Sequence, residues 1–131
     1  MPEDYQSWQK MFAWIDENVS DIVKELEARV IGLGGVKSKL IGRYYGYYKG
    51  NPSTRSMFVV FLLTKKALRI RIRVDRNTFR DPKKWTGAAT IFGLWFFEQG
   101  QEQEFEITNR DQIDYAMELI QQSYELSARS M

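Results

Sequence analysis

The stretch Leu68-Arg69-Ile70-Arg71-Ile72-Arg73-Val74 alternates an aliphatic residue with an arginine along its whole length. Side chains alternate across a β-strand. Leu68, Ile70, Ile72 and Val74 therefore share one face, and Arg69, Arg71 and Arg73 share the other. Just upstream, residues 57–63 form a continuous apolar run bounded by polar residues. That pattern suits a central strand covered on both faces. Thr64-Lys65-Lys66 is too short for anything but a tight connection, so strands 56–64 and 67–74 are expected to pair as an antiparallel hairpin.

Further upstream, residues 39–49 are rich in Tyr and Ile and read as one strand, with Gly42 and Gly46 as weak points or sites of close packing. Gly50-Asn51-Pro52-Ser53 is a turn cluster. Downstream, residues 75–87 read as a loop containing Asp81-Pro82 and Lys83-Lys84-Trp85. Residues 90–98 form an aromatic strand, Gln99-Gly100 turns the chain, and Glu102, Glu104 and Glu106 alternate with Phe105 and Ile107.

Two helical patterns flank the strands. In residues 7–31, Trp8, Met11, Phe12, Ile15, Val19, Ile22, Val23, Leu26 and Val30 recur at steps of three and four. This predicts one long helix, or two joined near Asn18. Glu17, Asp21, Lys24, Glu25 and Glu27 form its solvated face, and Gly32 with Gly34-Gly35 ends it. Residues 109–127 form the last helix, opened by a Thr108-x-x-Asp111 capping signal and buried through Ile113, Met117, Leu119, Ile120 and Tyr124. The expected architecture is a single α+β domain over residues 1–131. Its mostly antiparallel five-stranded sheet is flanked by a long N-terminal helix and a C-terminal helix on one face.

Hydrophobic residues make up 44% and aromatics 15% of the 131 residues, enough for one sizeable core. There is no Cys and no His. Disulfide and thiolate chemistry are excluded, and the usual general base near neutral pH is missing. The chain begins Met1-Pro2-Glu3-Asp4-Tyr5 without a basic segment and apolar run, and no stretch has the ~20 apolar residues of a membrane helix. A cytoplasmic protein with no membrane partner is expected.

The charge is unevenly placed. Residues 37–84 hold 14 Lys/Arg against two acids, a local balance of +12, although the whole chain is only +2. Either this basic middle meets an external anion, or the acidic ends neutralise it within the fold.

The segment from Lys65 to Glu125 carries a resemblance. Thr108-x-x-Asp111, Ile113-Asp114-Tyr115-Ala116-Met117 and Leu119-Ile120-Gln121-Gln122-Ser123-Tyr124-Glu125 follow a strand near the C-terminus. Upstream lie Lys66-x-Leu68-x-Ile70 and Asp81-Pro82, after a helix and a Tyr-rich strand. Over about residues 23–126 this resembles an uncharacterised prokaryotic domain family labelled "predicted transport protein" (domain of unknown function 5655). That family often has a His-Trp-Gly-x-Gly turn where this chain has Leu94-Trp95-Phe96-Phe97-Glu98-Gln99-Gly100. Any role of that His does not carry over. The family's association with restriction-type and defence enzymes implies a setting close to nucleic acid, in a prokaryote or phage.

Four constellations are candidates for function. Nine basic residues crowd into residues 65–84: Lys65, Lys66, Arg69, Arg71, Arg73, Arg76, Arg80, Lys83 and Lys84. A cluster this dense suits the closely spaced phosphates of a nucleic-acid backbone, and such binding would be strongly salt-dependent. Glu102, Glu104 and Glu106 form a ladder of the same period, so the arginines are either exposed or paired across strands. A simple meander places strand 90–98 between the two ladders and predicts an exposed arginine face. In the cluster Tyr44, Tyr45, Tyr47 and Tyr48, Tyr45 and Tyr47 are the candidates for stacking on bases, unless they pack the core. Trp95-Phe96-Phe97 is expected to lie under the N-terminal helix or at an interface. Asp75, Asp81, Glu98, Glu102 and Glu104 are the acids available to a divalent metal, but no strand carries Glu/Asp-x-Lys. The reading is a non-catalytic nucleic-acid-associated, phosphate-binding module with no cofactor. A protein-interaction or homodimerisation domain is the alternative, and a metal-dependent enzyme the weakest option.

Overall fold

A computed structural model of the chain describes residues 13–41, 44–87, 96–98 and 100–128. The elements run α1 (Glu17–Ile31), β1 (Val36–Ile41), β2 (Tyr44–Lys49), β3 (Met57–Leu63), β4 (Leu68–Arg73), β5 (Glu102–Ile107), a short 3-10 turn (Arg110–Gln112) and α2 (Ile113–Leu126). The fold is α+β, with five antiparallel strands in the order β1-β2-β3-β4-β5.

Two expectations about the strands are corrected here. The segment 39–49 is not one strand. It is a hairpin in which Ile41 pairs with Tyr44 and Val36 with Lys49. The other correction concerns the end of the sheet. β5 pairs directly with β4, so no strand separates the arginine and glutamate ladders. Of the expected 90–98 strand, residues 90–95 lie outside the described residues, and residues 96–98 form no strand.

α1 begins after Asp16, whose extended backbone donates its N–H to the Lys65 carbonyl at 2.9 Å. That bond ties the helix start to the β3–β4 turn and sets the break at Ile15–Asp16, not Asn18. The expected helical residues 7–12 lie outside the described residues. Val19, Ile22, Val23, Leu26 and Val30 are buried, as the helical period requires. Gly34 and Gly35 then take φ of 102° and 62°, where a β-carbon would be strained, and return the chain to β1.

The 3-10 turn that leads into α2 is capped by Asn109 rather than Thr108. The Asn109 side chain accepts from the Asp111 N–H, and Gln112 Oε1 accepts from the Thr108 and Asn109 N–H groups. Both side chains thereby satisfy amides that a helix start leaves without partners.

Both helices pack on one face of the sheet. The core there joins Val19, Ile22, Val23 and Leu26 of α1 with Tyr47, Phe61, Ile70, Ile72, Phe105 and Ile107 of the sheet and Ile113, Ala116, Leu119 and Ile120 of α2. A bulge lets Tyr47 oppose Val59 while Tyr48 opposes Met57. Phe58, the extra residue, joins the helix-side core and meets the Tyr124 ring edge-on at 5.1 Å. The far face carries a second apolar cluster of Tyr48, Met57, Val60, Leu62 and Phe97. Phe96 and Phe97 lie against this far face, not under α1. Phe96 is edge-on to Tyr44, and Phe97 belongs to the second cluster. Trp95 lies outside the described residues.

Candidate functional site

The arginine ladder folds into an ionic seam. In the register, Arg69 opposes Glu106, Arg71 opposes Glu104 and Arg73 opposes Glu102. Arg69 Nε lies 2.9 Å from Glu106 Oε1 at the partly exposed end. Arg71 Nε lies 2.9 Å from Glu104 Oε2, and its Nη1 reaches diagonally to Glu102 Oε2 at 2.8 Å. The Arg71 side chain is completely buried.

Glu102 can leave its directly opposite partner because Arg73 is occupied elsewhere. The Arg73 guanidinium donates to Glu98 Oε2 at 3.0 Å, the Arg55 and Thr54 carbonyls at 2.8 and 2.7 Å, and Ser127 Oγ at 3.0 Å. It thereby clamps the β2–β3 loop, the 96–98 segment and the end of α2 together. Glu102 Oε1 accepts the Phe96 and Phe97 N–H groups at 2.7 and 2.8 Å. The Arg71 and Arg73 guanidiniums in turn lie over the rings of Phe96 and Phe97.

Arg71 and Arg73 are therefore not available to a phosphate backbone. A buried guanidinium that already satisfies carboxylates has no exposed donor to offer a ligand. The expectation of an exposed face of three arginines is corrected to one surface arginine, Arg69, which is itself paired. The stacking expectation changes too. Tyr47 is enclosed in the core at 0% exposure, with its ring 4.7 Å from Phe61 and its hydroxyl donating to Glu27. Burial, then the Glu27 carboxylate, pushes that hydroxyl's pKa far up, so it stays protonated. Tyr45 is half-buried on the same face and packs on Tyr47.

The remaining cations gather elsewhere. Lys65 and Lys66 form the β3–β4 turn, and Arg76, Arg80, Lys83 and Lys84 lie on the loop after β4. All six are exposed, and none forms an ion pair among the described residues. Arg76 donates to the Gly100 carbonyl, and the Lys83 ammonium lies over the Tyr115 ring at 4.8 Å.

Asp81 gives this loop its shape. One carboxylate oxygen accepts the Tyr115 hydroxyl at 2.5 Å and the Trp85 N–H at 3.2 Å. The other accepts the Thr86 N–H at 2.8 Å and the Thr86 hydroxyl at 2.9 Å. Trp85 stands edge-on to Tyr115 at 4.7 Å, and Gly87 bridges Glu104 through paired backbone hydrogen bonds of 3.0 and 2.8 Å. The loop thus covers part of the outer edge of β5. From the sequence alone, Asp81 is a loop residue or one of the acids available to a metal. The overlooked signal was an acid followed within five residues by Trp85 and Thr86, whose N–H groups it could collect. Among the described residues no group of three or more acids is arranged to hold a metal ion. No helix of the described residues is long and apolar enough to cross a membrane.

The Asp81 network has a pH signature. Burial works to raise the Asp81 pKa, but hydrogen bonds from Tyr115, Thr86 and Trp85 outweigh it and hold the carboxyl below its ordinary value. A lowered folded pKa gives stability that is complete above the unfolded value of about 3.9 and is lost as pH falls through the folded pKa. Urea melts of wild type and Asp81→Asn should therefore differ near neutral pH and converge progressively below about pH 4. A stability gap unchanged from neutral to strongly acid pH would rule this linkage out.

Comparison with protein-family models, curated proteins and solved structures gave no match.

Proposed function

We propose that this protein is a non-catalytic nucleic-acid-associated module that engages a phosphate backbone through Lys65, Lys66, Arg76, Arg80, Lys83 and Lys84. One observation carries the reading: these six cations are exposed and lack carboxylate partners among the described residues, while the buried arginines of the same segment are paired. The acidic ladder has neutralised the seam and left the loop cations over. Phosphates are the abundant polyanion that such a surface fits. The proposed setting, near defence or mobile-element enzymes, rests on the resemblance carried by the strand and C-terminal helix motifs.

The test is fluorescence anisotropy with short DNA and RNA across salt concentration. If all six cations meet phosphates, the log–log slope should approach about −5 on duplex DNA, and affinity should fall roughly 10³-fold between 50 and 200 mM salt. Replacing Lys65, Lys66, Lys83 and Lys84 with Gln should flatten that slope by about one per residue removed while leaving the fold intact. Absence of binding at about 50 mM salt would sink the reading.

A further inference from the structure

A groove of about 540 Å³ opens between the 81–87 loop and the β4–β5 edge, lined in part by Arg69, Lys84, Trp85, Gly87, Glu106 and Gln112. Its size falls within the range that small-ligand sites occupy. Three of its lining residues carry donor groups. Arg69 uses Nε on Glu106, and among the described residues neither of its terminal nitrogens makes a hydrogen bond. Glu106 therefore fixes the guanidinium while leaving the outer fork free, the arrangement that accepts a phosphate through two parallel bonds. Gln112 spends Oε1 on the Thr108 and Asn109 N–H groups, and its amide nitrogen makes no hydrogen bond among the described residues. Lys84 is exposed and lacks an ion pair among the described residues. It holds a backbone φ of 54°, a left-handed conformation that lysine rarely adopts. Such conformations persist where the surroundings over-determine them, often at ligand sites. Trp85 stands beside these donors, locked by Asp81 and Tyr115.

We propose that this groove binds the phosphate monoester of a nucleotide, with phosphate between Arg69 and Lys84 and the base against the Trp85 indole. Glu106 is paired with Arg69 and Glu104 with Arg71, which leaves Lys84 as the lining charge without an ion pair among the described residues. Aromatic rings stack any base, while the cations and Gln112 supply the polar contacts. The inference rests on the phosphate-binding reading above and narrows it to one site. Two sources carry this chemistry: a free mononucleotide and the 5′-terminal phosphate of a single strand.

Anisotropy with a labelled single-stranded oligonucleotide bearing either a 5′-phosphate or a 5′-hydroxyl, with AMP as competitor, separates them. The phosphorylated end should bind roughly tenfold tighter, and Arg69→Gln and Lys84→Gly should each erase that preference. Lys84→Gly also relieves the left-handed backbone, so its effect would not come from misfolding. Lys84→Arg should restore the preference. Competition by AMP would show that the free nucleotide suffices. An end preference without competition would show that the strand end is required. Equal affinity for both ends without AMP competition, or AMP competition that survives Lys84→Gly, overturns the groove site. If salt-dependent binding then persists, the broader backbone reading stands; if nothing binds, both fall.

Discussion

Arg71→Ala should destabilise the protein by about 3–5 kcal/mol, the cost of stranding buried charge. Arg71 is fully buried between Glu102 and Glu104, whose side chains are 0% and 7% exposed. Among the described residues, removing the guanidinium leaves Glu102 with only the Phe96 and Phe97 N–H groups, and removes the Nε donor that Arg71 gave Glu104. Water cannot easily compensate, because Val60, Leu62 and Phe97 fill the same face of the sheet. Small domains have only about 5–15 kcal/mol of stability in total, so Tm should fall by roughly 10–20 °C. Arg71→Lys keeps one charge but loses the fork that reaches two carboxylates, and should fall between the two. Adding Glu104→Gln to Arg71→Ala should cost less than the sum of the single changes, because the second change removes a charge the first had stranded. Urea melts settle the point. An Arg71→Ala variant within about 1 kcal/mol of wild type would mean that water reaches the seam. Burial of the seam also governs how binding is probed. Arg69→Gln tests a surface contact, whereas a triple change at Arg69, Arg71 and Arg73 tests stability.

Periodicity carried the fold further than it carried the site. The alternation from Leu68 to Val74 specified β4 and its two faces, and the apolar run at residues 57–63 specified a strand buried on both sides, as β3 is. Helical spacing from Val19 to Val30 and from Ile113 to Ile120 located both helices. What failed was neighbour relations. Three arginines and three glutamates at the same period define two ladders, but a single strand pattern does not say which strand lies beside it. Segment 90–98 is as apolar and aromatic as a strand should be, yet its described end, Phe96 to Glu98, binds the far face of the sheet through Glu102 and Arg73. The tyrosine cluster posed the same problem. Alternation divided its members between two faces, and only the second apolar layer shows that Tyr48 as well as Tyr47 is buried. The exposed cations were legible as residues. Their lack of carboxylate partners among the described residues depended on which acids the seam had already taken.

Phe61→Ala should cost about 3–5 kcal/mol, comparable to loss of Arg71 but for a different reason. Phe61 sits in the middle of β3, opposite Tyr45 and Ile70, with no exposed surface. Its ring lies 4.7 Å from Tyr47, in the core that joins both helices to the sheet. β3 is hydrogen-bonded on both sides and buried on both faces, so its backbone has little freedom to collapse into the space a missing ring leaves. The transfer energy of the ring and the cavity term should both appear in full. Phe61→Leu retains most of the buried volume and should lose much less. Urea midpoints read at equal m-values decide this, and a Phe61→Ala loss below about 1 kcal/mol would mean the helices can settle onto the sheet. The variant also separates fold from function. Phe61 belongs to the helix-side core, while Lys65, Lys66, Lys83 and Lys84 are exposed on the β3–β4 turn and the loop after β4. Where the variant is still fully folded, its salt-dependent binding to nucleic acid should therefore match wild type. Weakened binding by a fully folded Phe61→Ala protein would place the phosphate contacts somewhere other than that turn and loop.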